Sequence, residues 1–126
     1  MHIDFIMTDN ILIAAVKGDI DHHNAKFMRE EIDRTYEVFS GKHIILDFSG
    51  VPFVDSSGIG MILGRYNVVK ENGGKLIICG VSEYMRKILH MSGIFTIIQA
   101  YESVSEAINI IKEEYSDGMT DYENHR

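Results

Sequence analysis

Cysteine is almost absent from this chain of 126 residues: Cys79 stands alone. A single cysteine excludes an intrachain disulfide and a cysteine-built metal cluster. It lies in Leu76-Ile77-Ile78-Cys79, where a small buried apolar side chain is the expected role, and no local signature marks it as a catalytic thiol. Proline occurs once and glycine 11 times, which argues against a disordered or repetitive chain. Positive charge is also short, with 12 basic against 19 acidic side chains and a net charge of −7. Such a chain is repelled by phosphate backbones and anionic lipid, and no basic stripe offsets this, so neither nucleic acid nor a membrane surface is an expected partner. A basic protein surface suits it better. Long hydrophobic runs are missing too. None approaches the roughly 18 residues that span a bilayer. Asp4 precedes any apolar run, and Ile11 to Val16 is too short for a signal core. These absences point to the cytoplasm.

What is present is a hydrophobic content of 45% beside 25% charged residues, enough for one two-layer core, expected over residues 1–116. Ile3, Phe5 and Met7 alternate within Met1 to Met7, the mark of a strand with one wet face. Asp9-Asn10 is turn chemistry, and Ile11 to Val16 is apolar on both faces, so an opening hairpin is expected. From about His23 the period changes: Ala25, Met28, Ile32, Tyr36 and Phe39 make a helical stripe that Gly41 stops. His43 to Phe48 is a second buried-type strand. A helix follows from Ser57 to Lys70, with Ile59, Ile62, Leu63, Tyr66 and Val69 as its stripe. Lys75 to Val81 reads as a strand, Ser82 caps a helix to about Met91, and Phe95 to Ala100 reads as the last strand. Ser103 with Glu106 forms a capping box for a final helix ending near Tyr115.

Strands alternating with helices through short loops imply an α/β fold: a mixed, mostly parallel sheet of about five strands with about four helices. Residues 117–126 lack an apolar period and read as a polar tail. Most of the seven methionines fall on apolar stripes, where core filling is their expected role.

The segment that carries chemistry is Asp55-Ser56-Ser57-Gly58-Ile59-Gly60, at the mouth of the second helix. A helix start has unpaired N–H groups and the positive end of the dipole, so hydroxyls cap it and added phosphate is tolerated there. Gly58 admits a close backbone, and Gly60 and Gly64 make a smooth helix face. On these residues alone, a plain helix cap stands beside a modification site. The glycines lack the spacing of a dinucleotide fingerprint, no lysine sits where a phosphate-binding loop needs one, and Ser57 lacks the preceding glycine of a hydrolase elbow. An enzyme using the Gly58–Gly60 turn is the competing class.

The wider pattern is more specific. Gly18-Asp19-Ile20-Asp21-His22-His23-Asn24-Ala25, His43-Ile44-Ile45-Leu46, Phe53-Val54-Asp55-Ser56-Ser57-Gly58-Ile59-Gly60, Ile62-Leu63-Gly64-Arg65-Tyr66 and Met91-Ser92-Gly93-Ile94-Phe95 occur in that order. In order and spacing they resemble the STAS domain family, and within it most closely the sporulation anti-sigma F factor antagonists. The resemblance implies a non-enzymatic switch; a monomer without cofactor or metal is expected. Its bare form binds an anti-sigma factor and frees the sigma factor. The anti-sigma factor, a serine kinase, phosphorylates the second serine of the motif, Ser57 here, and so abolishes binding; a serine phosphatase resets it. A general-stress sigma regulator or a scaffold protein of the same fold is the alternative pathway.

The resemblance also implies a partner-binding surface of Asp21, His22, His23, Asp55, Ser56, Ser57, Gly58, Ile59, Gly60 and Arg65. Asp55 orients Ser57, caps the helix or contacts the kinase; Ser56 is the non-target hydroxyl. Asp21-His22-His23 invites a metal reading, but adjacent side chains diverge and no third ligand is near. Asp21 is a candidate cap for the first helix. Arg65 is expected on the exposed side of its helix, free to meet a partner carboxylate or simply solvated, with Tyr66 on the buried stripe.

Overall fold

A computed structural model describes the backbone of residues 1–124 and the side chains of residues 1–115. A five-stranded sheet runs β1 (His2–Thr8), β2 (Ile11–Lys17), β3 (His43–Gly50), β4 (Leu76–Cys79) and β5 (Gln99–Tyr101), neighbours in that order. Four helices accompany it: α1 (Ala25–Val38), α2 (Ser56–Glu71), α3 (Glu83–Met91) and α4 (Val104–Asn124). The first strand pair is antiparallel and all later pairs are parallel, so the expected α/β class and mixed sheet are found. The polar tail expected over 117–126 has no described side chains, and that expectation lies outside the described residues.

Successive parallel neighbours need right-handed crossovers, and these all fall on the same side of the sheet. The core divides accordingly. Leu12, Ala14, Val16, Ile44, Leu46, Phe48, Leu76 and Ile78 face α1, α2 and α3. The intervening Ile11, Ile13, Ile45, Ile77 and Cys79 face Ala107 and Ile111 of α4. This explains why the middle strands are apolar on both faces whereas β1 shows alternation. Each fully buried isoleucine or leucine contributes about 1.5 to 3 kcal/mol. Burial pushes the Cys79 thiol up to about 12, so it stays protonated and serves packing.

Three boundaries differ from expectation. Only Gln99–Tyr101 is strand in the segment read as Phe95 to Ala100, because Ile94–Thr96 forms a 3-10 turn after Gly93, whose φ of +82° breaks the chain direction. Helix α1 stops at Val38, so Phe39 leaves the stripe and is exposed. At α4, Ser103 Oγ accepts the Glu106 N–H at 3.1 Å, but Glu106 Oε2 accepts from Glu102 rather than from Ser103. Half the expected box forms. The Ser82 cap forms as read, accepting the Met85 N–H at 3.1 Å.

Candidate functional site

The chain enters the site twice. After β2, residues 18–24 cross the carboxyl ends of the strands; after β3, residues 51–55 do the same. The two segments are zipped together: Gly18 N–H donates to Gly50 O (3.0 Å), Ile20 N–H to Phe53 O (2.9 Å), and Asp55 N–H to Ile20 O (3.2 Å). A parallel bridge pairs Ile20 with Val54, and both side chains are buried. The hydrophobic side chains thus anchor two polar turns next to each other.

Asp55 joins them. It is the N-cap of α2, with extended backbone, and its Oδ1 accepts the Gly58 N–H at 3.0 Å. Its Oδ2 accepts the His22 N–H at 3.1 Å. The Gly58 hydrogen bond, with lesser help from the His22 and Ser57 N–H groups, holds its carboxyl below the usual carboxylate range. Asp21 Oδ1 accepts from His23 and Asn24 N–H, so Asp21 shapes the turn leading into α1 rather than the helix terminus itself. The His22 and His23 ring centroids lie 3.9 Å apart with the planes tilted by 39°, and both residues are exposed. Among the described residues no three His, Cys, Asp or Glu side chains converge as a metal site.

Ser56 and Ser57 occupy the first turn of α2 and both are exposed. Gly58 is buried behind them, and a Cβ there would stand 2.2 Å from Ile20 O. The close backbone that Gly58 admits is therefore the chain's own. Gly60 and Gly64, by contrast, have nothing within 4 Å of where a Cβ would lie. They floor an open cleft between α1 and α2.

The expectation for Arg65 is overturned. It is 7% exposed, and its Nε lies 2.9 Å from Asp33 Oδ1 on α1. The buried stripe of α2 is rotated from the one expected: Met61, Ile62, Arg65 and Val69 face inward, while Tyr66 is only partly buried. The reason is that α2 packs against α1 as well as the sheet, so its inward arc is shared between two neighbours. Arg65 is thus not a ready contact for a partner carboxylate. Lys26 and Arg29 of α1 line the same cleft as Ser57 and went unnoticed in the sequence. Periodicity assigns Arg29 to a wet face but does not say that α2 borders it. Phe53, beside the Ser57 turn, is 39% exposed, and its only signal was its place before Asp55.

Residues 2–107 match the STAS domain family. The chain belongs to that family. Among its STAS relatives, the anti-sigma F factor antagonist of Paenibacillus polymyxa is 35% identical over 98 residues, covering 78% of this chain and 84% of the relative. The anti-sigma factor antagonist SpoIIAA in its unphosphorylated form superposes with a TM-score of 0.69 at 26% identity, covering 88% of this chain and 98% of the other. The Bacillus cell fate determinant SpoIIAA in its phosphorylated form superposes with a TM-score of 0.67 at 28% identity, covering 87% and 99%. The fold is shared with these structures, and in this chain the zipped turns at one end of the sheet present the start of α2. No helix among the described residues is long and apolar enough to cross a membrane.

Proposed function

We propose that this STAS protein is an anti-sigma factor antagonist in a sporulation pathway, switched by phosphorylation of Ser57. The bare form binds the anti-sigma factor and so releases the sigma factor. The anti-sigma factor doubles as the serine kinase that modifies Ser57, and a serine phosphatase restores the bare form. The protein itself is substrate and binder and performs no chemistry.

The observation that carries this reading is the exposed Ser57 hydroxyl on the first turn of a sixteen-residue helix, beside a turn that Asp55 braces to His22 at 3.1 Å. A kinase can reach that oxygen without unfolding anything. Phosphate brings about −1.5 to −2 charge to a helix start, where the dipole favours it, so the fold is expected to persist. The cost falls on the interface, where a bulky dianion would have to be desolvated against a surface shaped for a hydroxyl. A loss of about 3 to 4 kcal/mol would weaken binding several hundredfold. Asp21, His22, His23, Asp55, Ser56, Ile59 and Gly60 surround Ser57 as the proposed contact surface, whereas Gly58, expected there too, is buried against Ile20 and supports the turn from behind. Exposed Phe53 adds an apolar anchor of the kind that dominates interface energetics. Arg65 has no direct part in it. The names of the relatives, an anti-sigma F factor antagonist and a cell fate determinant, support the sporulation branch.

The test is incubation with the cognate anti-sigma kinase and ATP, read by intact mass and by partner binding. One phosphate is expected on Ser57 and none on Ser57→Ala, which keeps binding, while Ser57→Asp binds poorly. Equal binding by the Ala and Asp variants would remove the switch. Consumption of ATP by this protein alone would favour the enzyme reading.

A further inference from the structure

The cleft between α1 and α2 has a volume of about 390 Å³ and opens at Ser57 and His22. Its walls carry Lys26, Arg29 and Arg65, and its floor is the bare backbone face of Gly60 and Gly64. Three features of this cleft point to a missing anion. First, Arg65 is more than nine-tenths buried, yet its Nη1 has no hydrogen-bond partner among the described residues. Its Nε approaches Asp33 off the hydrogen-bonding direction, so the contact is an ion pair only. A buried guanidinium donor without an acceptor costs free energy that a ligand oxygen would recover.

Second, the charges do not balance. Arg29 and Arg65 both act on the single carboxylate of Asp33. Burial is the largest influence on both partners, raising Asp33 and lowering Arg65, so their attraction does not repay desolvation. Among the described residues Lys26 is met only by Glu30, one turn along α1 at 3.9 Å. At the mouth, both Asp55 oxygens and Asp21 Oδ1 are engaged by backbone N–H groups. Third, a side chain that lines this cleft, Ser57, lies on the first turn of α2, where the helix dipole favours negative charge.

We propose that this cleft is a phosphate-binding cradle whose ligand is the phosphoryl group on Ser57 itself, held by Arg29 and Lys26 with Arg65 behind them. The inference rests on the phospho-switch reading of Ser57 and adds how the switched state is kept. Tethering supplies the ligand at high effective concentration, so no affinity for free phosphate is needed. Once seated, the dianion also occupies the Ser57 end of the cleft, next to Gly60. Switching off is then a change of surface as well as of charge, with no rearrangement of the sheet.

The experiment installs phosphoserine at position 57 during synthesis, so no kinase is involved, and follows its second ionisation by phosphorus NMR at fixed salt. Ordinary phosphoserine ionises near about 6. Lys26, Arg29 and Arg65 line the cleft itself with His22 at its mouth, whereas Asp33, Glu30, Asp21 and Asp55 lie outside that lining, so the ionisation is expected about one pH unit lower. Arg29→Gln should return most of that difference and Lys26→Gln part of it. Arg86→Gln, which removes the same charge outside the cleft, should change nothing. An ordinary ionisation in the unsubstituted sequence, or the same displacement in Arg29→Gln, overturns the proposal. Inorganic phosphate is added to the bare protein as a separate arm. Movement of the Gly60 and Gly64 amides there, with phosphoserine titrating ordinarily, would assign the cleft to a free anion and overturn the tethered ligand. Partner binding is measured on the same samples. Binding that survives phosphoserine sinks the switch, whereas a lost cradle with binding still abolished sinks this inference alone.

Discussion

The backbone N–H of His22 donates to Asp55 Oδ2 at 3.1 Å, joining two turns that stand 33 positions apart in the chain. One carboxylate therefore caps α2 through Gly58 and fixes the neighbouring turn at the same time. The two turns cannot move independently of each other.

Replacing Asp55 by alanine should accordingly damage recognition more than fold. The sheet and helices are expected to persist by circular dichroism, with faster amide exchange at His22 and Gly58. Affinity of the bare form for the anti-sigma factor should fall by about tenfold or more, read by calorimetry. Because folding depresses the carboxyl below its ordinary 3.8, the brace is complete above that value and fails only as pH drops through the lower folded value. Amide exchange at His22 should thus be unaffected by the state of Asp55 between pH 5 and 8, on the order expected from that depression.

Glycine positions six apart on one helix should respond oppositely. A Cβ at Gly58 collides with Ile20 O and Val54 Cγ2, so Gly58→Ala should cost about 2 to 3 kcal/mol in urea unfolding. Gly64 has open space, and Gly64→Ala should stabilise by about 0.5 to 1 kcal/mol through helix propensity. A similar cost at both positions would mean that the cleft is closed in solution.

His43 should make stability fall in mild acid. It is buried beside Tyr115 and accepts the Lys75 N–H on Nδ1 at 3.0 Å. Burial, with Lys42 and Lys75 nearby, lowers it from 6.5 to about 4. The unfolded chain therefore takes a proton that the folded chain refuses. Its contribution is fully present above 6.5 and is lost progressively as pH falls from there to about 4, where it levels off. The loss should amount to roughly 2 to 3 kcal/mol. His43→Asn, which keeps an acceptor in the Nδ1 position, should flatten that part of the pH profile.

The Arg65–Asp33 pair should prove dispensable as a pair but not singly. Asp33→Ala leaves a buried guanidinium uncompensated and should cost about 1 to 3 kcal/mol. Arg65→Met together with Asp33→Leu should restore most of that loss. A double-mutant cycle by urea unfolding measures the coupling, and independent additive losses would refute it.

Much of the architecture was legible because it rests on local periodicity. Apolar runs such as His43 to Leu46 can be satisfied only between two covered faces, and the steps of three and four in Met28, Ile32 and Tyr36 only by a helix. The errors fell where a neighbour overrides the local pattern. Phe95 to Ala100 has strand composition, but Gly93 turns the chain and only Gln99–Tyr101 reaches the sheet beside β4. Arg65 has the polarity of a surface residue, and no helical period reveals that α1 lies against it.

By itself, the sequence determined the order of elements, the two-faced burial of the middle strands and the exposed serine at the start of α2, because each follows from neighbours a few bonds away. The tertiary structure alone decided that the His22 turn meets Asp55, that Arg65 turns inward, and that Lys26 and Arg29 share a cleft with Ser57. Those relations depend on how two crossover helices pack side by side, and packing distances between remote segments leave no periodic trace in the chain.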